Sequence, residues 1–470
     1  MTEPPVLPPL YARWIEQALG GPLPRERRAA CDPCVMSEPR PGPVSRYNPG
    51  VKCCSYWPGL PAFLVGHALA DAGEDGAAGR AILRGLIDEG RCATPLGIDP
   101  PPAVAERYAK VRDERFGVDP ELLCPYFERG SGRCHIWPHR GYVCATYFCL
   151  HERRMIGQRL WNALRDLLAA LEKTLSTWCL LELTPEAAAV LLDDDGAPRS
   201  LGERELPGWV EPDGRLAPDL ARQVWGRWQG KEEAYYLSCA ERTAGLDWAG
   251  IAALGGVRLE ALRRRAVAAL RRHEDRGVPD VLCVGLFDVV ESATPDEVML
   301  HNEEIPADPL PVPAALVDAL SVFDGRPTAE AVERVRQEHG VALERPLLEQ
   351  LVDGGLLGPP DGVDLAPNAR PDGALEPGAP LRFFRGFRRA KLALETGTEE
   401  GKPALTLTCG HKEIVFDEPE LFDFARGLYR HRHGFRAGDA PAWAGLGWER
   451  VHELLGTLLE AGLLQRLPAG

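Results

Sequence analysis

Apolar residues recur at helical spacing over one long stretch, at Ile156, Leu160, Trp161, Leu164, Leu167, Leu168, Leu171, Leu175 and Trp178, and this period predicts an amphipathic helix beginning soon after Cys149. Thr184-Pro185-Glu186 then sets a capping hydroxyl before a proline suited to a first helical turn, so a second, short helix is expected to run to the DDDG stretch. Residues 193–218 read as a loop. The segment LDWAGIAALGGVRLEALRRRAVAALRR has the rhythm of a helix-turn-helix, with Ile251-Ala252 on one helix, Gly255-Gly256-Val257 at the turn and Leu262 on the next. Arg263, Arg264, Arg265, Arg271 and Arg272 would give that second helix a basic face able to meet phosphates. An ordinary helical hairpin with solvated arginines is the preferred reading of the same pattern.

From residue 281 onward the pattern repeats. The first copy runs from VLCVGLFDVV through DEVML, a helix in VPAALVDALSVFDG, a helix beginning at PTAEAVERVRQEHG and a last helix in PLLEQLVDGGLL. In the second, ALTLTC and KEIVF read as strands, EPELFDFARGLYR as a helix and WERVHELLGTLLEAGLL as the closing helix. Both end in Gly-Leu-Leu, and Leu356-Leu357 and Leu463-Leu464 are 107 residues apart. Gly355 and Gly462 suit helix C-terminal caps. This order is a winged-helix pattern, and it resembles the PqqD-like peptide-recognition fold. The resemblance implies capture of a peptide as an added strand, with 295–300 as the expected docking edge.

Composition sets the compartment and the class of partner. No basic segment followed by an apolar core opens the chain, and no run approaches the apolar length of a membrane span, so a cytoplasmic protein with no membrane partner is expected. The formal net charge of −15 argues against a chain wrapped in nucleic acid, although a local basic surface could survive within it. Its 470 residues suffice for several cores.

The cysteines change this picture most. Nine of the 13 lie in the first third of the chain, at 31, 34, 53, 54, 92, 124, 134, 144 and 149, within a segment rich in proline and turn residues and weak in apolar period. In a reducing compartment, clustered thiols point to metal or redox chemistry before disulfides. The two-residue spacer between Cys31 and Cys34 lets both sulfurs face one ion, and the adjacent pair Cys53-Cys54 suits neighbouring ions. Between Cys124, Cys134, Cys144 and Cys149, the residues Pro125, Gly130, Gly132, Pro138 and Gly141 supply short loops on which soft ligands could converge. His135 and His139 flank Cys134 and read as hydrogen-bonding or surface residues, and Cys92 as a free thiol in a loop. Cys179, Cys239, Cys283 and Cys409 stand singly in apolar patterns and read as core residues, while His411, His431 and His433 have no ligand spacing to any cysteine.

The run Cys124-Pro125-Tyr126-Phe127, Gly132-Arg133-Cys134-His135-Ile136-Trp137, His139-Arg140 and Cys144-Ala-Thr-Tyr147-Phe148-Cys149 resembles the second hallmark of the YkgJ-like zinc- or iron-chelating family, which includes flagellin lysine N-methylase. That family's first hallmark is a tight CxxCxxCC cluster. Here 18 residues separate Cys34 from Cys53, and Gly141 stands where the family has proline. The resemblance implies metal ligation by Cys31, Cys34, Cys53, Cys54, Cys124, Cys134, Cys144 and Cys149. Eight thiolates suit two zincs, one four-iron cluster with spares, or two clusters. The resemblance favours an iron-sulfur cluster over zinc. The three-cysteine signature of radical S-adenosylmethionine enzymes is absent.

The fold expected is therefore α+β and mainly helical. It comprises a cysteine-rich metal-binding module (1–152), a helical region with the helix-turn-helix-like segment (153–280), a winged-helix-like repeat (281–360), a linker (361–381) and a second such repeat (382–470). The leading functional reading is a metal-cluster protein that takes part in modifying a protein or peptide substrate. No catalytic base, nucleophile or glycine-rich cofactor loop stands out, so enzyme and accessory component are both open. The alternatives are a metal- or redox-sensing DNA-binding regulator, disfavoured by the net charge and the balanced charges of PTAEAVERVRQEHG, and a scaffold with structural zinc.

Overall fold

In the computed structural model of the chain, the apolar stripe centred on Leu167 becomes a 30-residue helix, Arg154–Leu183. The structure describes residues 7–29, 34–39, 46–193, 196, 198, 210–292, 294–302, 304–360, 375–383, 391–396, 403–409, 412–432, 434–460 and 463–466. Cys31, His411, His433, Gly462 and most of the expected 361–381 linker lie outside them. The chain divides into two compact units, Met1–Asp275 and Arg276–Gly470. It is α+β and mainly helical, and no described helix is long and apolar enough to cross a membrane.

The first unit contains α1 (Pro9–Leu19), α2 (Ala62–Ala70), α3 (Ala77–Asp88), α4 (Pro102–Arg115), α5 (Tyr142–Thr146), the long helix α6, α7 (Ala188–Leu191), α8 (Pro218–Trp225), α9 (Glu232–Ala244) and α10 (Trp248–Glu274). A small antiparallel sheet of β1 (Leu60–Pro61), β2 (Ala93–Thr94) and β3 (Gly97–Ile98) has the order β1-β3-β2. Leu160, Leu164, Leu167, Leu168, Leu171 and Leu175 of α6 are all buried. One apolar core contains them together with Leu7, Trp14, Phe63, Cys124, Tyr126, Tyr235 and Leu270. The cysteine-bearing loops thus share their core with the helices, and that sharing supplies the packing which their own weak apolar period does not.

Two local expectations change. Thr184 ends α6 and its hydroxyl makes no capping bond, so proline alone starts the following turn, Pro185–Ala187. The turn expected at Gly255-Gly256-Val257 is a kink inside α10, where Gly256 takes φ 57° and ψ −151°, a conformation open to glycine because it has no Cβ. Four of the five arginines of the expected basic face are held by neighbours. Arg263 and Arg264 bind Glu260 at 2.7 and 2.9 Å, Arg265 binds Asp166 at 3.0 Å and Arg272 binds Asp275 at 3.3 Å. The buried Arg153 guanidinium donates to the carbonyls of Arg272, His273 and Asp275 at the end of α10, where helical carbonyls lack partners and the helix dipole is negative.

The second unit carries one order of elements twice. In the first copy β4 (Val281–Val284) lies between β8 (Asp324–Pro327) and β9 (Leu357–Gly358), beside a meander of β5 (Asp288–Glu291), β6 (Glu297–His301) and β7 (Leu310–Pro313), with helices α11 (Ala315–Ala319), α12 (Thr328–His339) and α13 (Arg345–Asp353). In the second, β10 (Pro380–Phe383) lies between β14 (Phe435–Arg436) and β15 (Leu464–Arg466), with a meander of β11 (Lys391–Thr396), β12 (Pro403–Cys409) and β13 (Lys412–Phe416) and helices α14 (Phe422–Arg430), α15 (Ala440–Ala444) and α16 (Trp448–Glu460). Val284 pairs with Leu357, and Phe383 with Leu464, so the last leucine of each Gly-Leu-Leu ending occupies the same place in its small sheet. Gly355 has φ +69°, as a left-handed helix terminus requires.

The expected docking edge is corrected. The stretch 295–300 contributes most of β6, which is the middle strand of its sheet, so both its sides are occupied. Pro311 and Pro313 stand opposite Met299 and Glu297 and cannot donate, so Leu310, Val312 and Ala314 make the bonds to β6. By alternation the prolines face outward, which blunts the edge of β7. Met299 and His301 then bond to β5 through Val290 and Asp288, which leaves the backbone of Val289 and Glu291 turned to the outer side of β5.

Gly66 marks the close approach of α2 and α9, because a Cβ there would stand 1.9 Å from the Tyr236 carbonyl oxygen. Gly66→Ala should therefore lower stability by about 1–3 kcal/mol through overpacking. Gly85→Ala in α3, where a Cβ meets nothing within 4 Å, should instead raise it by up to ~1 kcal/mol. Urea unfolding of the two variants checks the pair, and equal midpoints would show that the α2–α9 approach is not close-packed.

A cysteine-lined cavity as candidate functional site

Five separate stretches of loop and short helix bring cysteines to one place. Cys34 precedes the turn Val35–Ser37, and Cys53 and Cys54 close the turn Lys52–Cys54. The Cys124 N–H donates to the Cys54 carbonyl at 2.8 Å, joining two of these stretches. From Cys124 the chain folds back on itself, with a bridge between Phe127 and Cys134 and a bond from His135 N–H to the Tyr126 carbonyl at 2.8 Å. The turn Trp137–His139 leads to Gly141, which precedes the first turn of α5, and α5 carries Cys144.

A cavity of about 780 Å³ is lined by Cys34, Cys53, Cys54, Cys124, Cys134, Cys144 and Cys149. These are all the expected ligands except Cys31, which lies outside the described residues. Its walls also hold Tyr47, Tyr56, Tyr108, Phe116, Trp137, Tyr147 and the cations Arg25, Arg27, Lys52 and Arg140. Among the described residues no three His, Cys, Asp or Glu side chains are arranged closely enough to hold an ion, so the thiols share a cavity without meeting at a point.

Their electrostatics show which are neighbours. The Cys53 thiol is pushed well up by its hydrogen bond with Cys54 and then by burial. Burial pushes Cys124 well up and Cys144 up to about 12, with Cys134 and Cys53 adding to both. Cys134 is raised by burial, against a pull from the Ile136 backbone and Arg140. Burial pushes the Tyr47 hydroxyl up, with Cys53, Cys149 and Cys34 adding to it, and that hydroxyl stands 3.2 Å from that of Tyr147. Cys53 thus belongs to two neighbourhoods, one with Cys124, Cys134 and Cys144 and one with Cys34 and Cys149. Buried neutral thiols of this kind release protons when they ligate a cation.

The remaining sequence candidates lie elsewhere. His139 Nε2 stands 2.9 Å from Asp71, and neither it nor His135 lines the cavity. Cys92, Cys179, Cys239 and Cys283 are buried in the cores, and Cys409 falls in β12. His431 stacks on Trp443. Arg140, itself buried, covers the face of Trp137 at 3.4 Å.

Two residues that sequence reasoning passed over hold the cavity in place. Glu172, buried on α6, accepts from Tyr142 N–H at 2.5 Å, in the first turn of α5, and from the Tyr11 hydroxyl of α1. Glu26 accepts from Trp161 Nε1 and from Glu152 N–H, each at 2.5 Å. The signal for Glu172 was present, since it is an acid between Leu171 and Leu175 on an otherwise apolar stripe. No known protein family, no curated protein and no solved structure matches the chain.

Burial pushes the Glu172 carboxyl up from an ordinary 4.5 to about 7, against the pull of Tyr11 and the Tyr142 N–H. Because its folded value is the higher one, its stabilising contribution is complete below pH 4.5 and is lost as pH rises through 7. Glu172→Gln keeps an acceptor and removes the charge. Between acidic and mildly alkaline pH the wild type should lose on the order of 3 kcal/mol relative to this variant. Denaturant melts across that range check the difference, and parallel pH profiles would refute it.

Proposed function

We propose that the first unit is a thiolate-ligated metal centre, iron-sulfur in preference to zinc, and that the protein takes part in modifying a protein or peptide docked on the second unit. The observation that carries the metal half is the gathering of seven cysteines from five stretches on one cavity wall. A donor set made only of soft sulfur suits zinc, copper(I) or iron-sulfur chemistry and not calcium or magnesium. Cys53, Cys54, Cys124, Cys134 and Cys144 would hold one centre, with Cys34 and Cys149 close to a second position. Arg140 and Lys52 on the same wall offset the thiolate charge. The choice of iron rests on the resemblance of the Cys124 to Cys149 run to the cysteine-cluster family.

The peptide half is supported by β5. Its outward backbone groups at Val289 and Glu291 are those an added strand would pair with, and Val289 is half exposed, at 49%. Duplex nucleic acid is the weaker partner. Arg334 and Arg336 of α12 are tied to Glu338 and Glu333, as Arg263, Arg264, Arg265 and Arg272 of α10 are to neighbouring carboxylates, which leaves fewer cations for phosphates.

Anaerobic purification of the full chain should yield iron and acid-labile sulfide with visible absorption. Zinc without colour would overturn the iron assignment, and absence of any bound metal would overturn the centre itself. Cys134→Ser should lose most of the metal and expose the first unit to protease.

For the peptide half, peptides enriched from a random display library by the full chain should bind Val289→Pro at least tenfold more weakly, because proline there removes an outward N–H without touching the ladder to β6. Unchanged affinity would place the peptide elsewhere.

A further inference from the structure

The cavity that gathers the thiols is larger than a metal centre requires. Thiolates close around a metal at about 2.3 Å, whereas a space of about 780 Å³ falls in the range of sites that take whole organic molecules. Its wall carries two chemistries besides sulfur, and the first is aromatic. Trp137 and Tyr147 line the cavity and are 46% and 42% exposed, so their rings can be reached from solvent. Deeper rings continue this surface. Phe116 packs edge-on between Tyr47 at 5.7 Å and Tyr147 at 5.8 Å, and Tyr108 packs on Tyr56 at 4.9 Å. Such rings offer flat faces and edges on which a planar ligand can stack.

The second chemistry is cationic. Among the described residues, Arg25, Arg27, Lys52 and Arg140 line the cavity against one acid, Glu26, whose side chain is 1% exposed and already accepts from Trp161 Nε1 and Glu152 N–H. The whole chain has the opposite balance, with 69 acidic residues to 54 basic ones, so this wall is a positive field within an acidic protein. Two of the cations are fixed. Arg140 is 5% exposed with its guanidinium over the Trp137 ring at 3.4 Å. Lys52 takes φ 54°, a left-handed value seldom adopted outside glycine, and its ammonium donates to the Gly132 carbonyl at 3.1 Å. Arg25 and Arg27 are exposed, where they can draw an anion in from solvent.

Aromatic walls by themselves often attract cations. Here Arg140 already occupies a face of Trp137, and the charge of the wall opposes a further cation. Rings and charge together therefore select a ligand that is flat and negative.

We propose that the cavity binds a small organic anion, a planar ring bearing an oxyanion such as a carboxylate or phosphate, with the ring on the aromatic wall and the oxyanion held by the lining arginines. Guanidinium groups suit either oxyanion, because their paired N–H donors match its geometry. This site does not depend on which metal, if any, the thiols hold.

The test titrates the full chain, as purified and after metal removal, with the fluorescent ring anion anilinonaphthalene sulfonate and with phenylnaphthylamine, which has the same rings and no sulfonate. The anion should bind roughly tenfold more tightly than the neutral compound. Arg25→Gln/Arg27→Gln should lose most of that preference while keeping the wild-type thermal midpoint and the wild-type affinity for the neutral compound. Naphthoate and naphthyl phosphate should both displace the bound anion, and the better of the two identifies the oxyanion the arginines favour. Equal affinity for the charged and neutral compounds, or a preference that survives loss of both arginines, overturns the proposal. If the double variant melts early, Arg27→Gln decides alone, and an unchanged preference there overturns it. Anion binding by a chain that holds no metal would leave this site standing without the metal centre, and a metal-loaded chain with no preference for the anion would do the reverse.

Discussion

Burial of the leucine stripe on α6 is the constraint from which the first unit is built. The stripe fixes the helix against α10 and α2, and the cysteine loops are then fastened to that same helix at two points. Phe148, beside Cys149, packs on Trp161 at 4.6 Å, and Glu172 holds the first turn of α5, two residues before Cys144. Loops with little apolar content of their own acquire a fixed place because a neighbouring helix has apolar area to spare. A buried carboxylate on that stripe costs desolvation, and its two hydrogen bonds, from α1 and α5, offset part of the cost while tying three elements together.

The cavity follows from the same arrangement. Thiols are small and weakly polar, so they can sit beside Tyr126 and Ile136 at the border of a core at little desolvation cost. Seven of them facing one space is a different matter, because close packing would ordinarily close it. The aromatic rings around it hold the space open at the size of a ligand pocket, about 300–1,000 Å³ in proteins generally.

In the second unit the repeat is carried by backbone pairing more than by side-chain identity. Each copy needs a strand between two others, a meander and three helices, and the sequences that satisfy this differ widely apart from the Gly-Leu-Leu ending. The edge of β7 is settled by two prolines that were readable in the chain, but only the pairing of β6 on both sides shows that β5 is the strand they leave open.

The sequence by itself determined the long helix, the twofold order of elements and the α+β class, and it marked the cysteine-rich stretches, because these depend on local period, turn chemistry and residue type. It did not determine that the cysteine segment and the helices form one core, that Glu172 anchors Cys144, or that the basic face of α10 is matched by Glu260, Asp166 and Asp275. Glu172 and Tyr142 are 30 residues apart and Arg265 and Asp166 are 99, and no local period reports on such distances. The kink at Gly256 was half legible, since glycine permits a left-handed φ but packing decides whether it is used. Which thiols become neighbours, and how strongly burial holds their protons, was decided only when the five stretches were brought to one cavity.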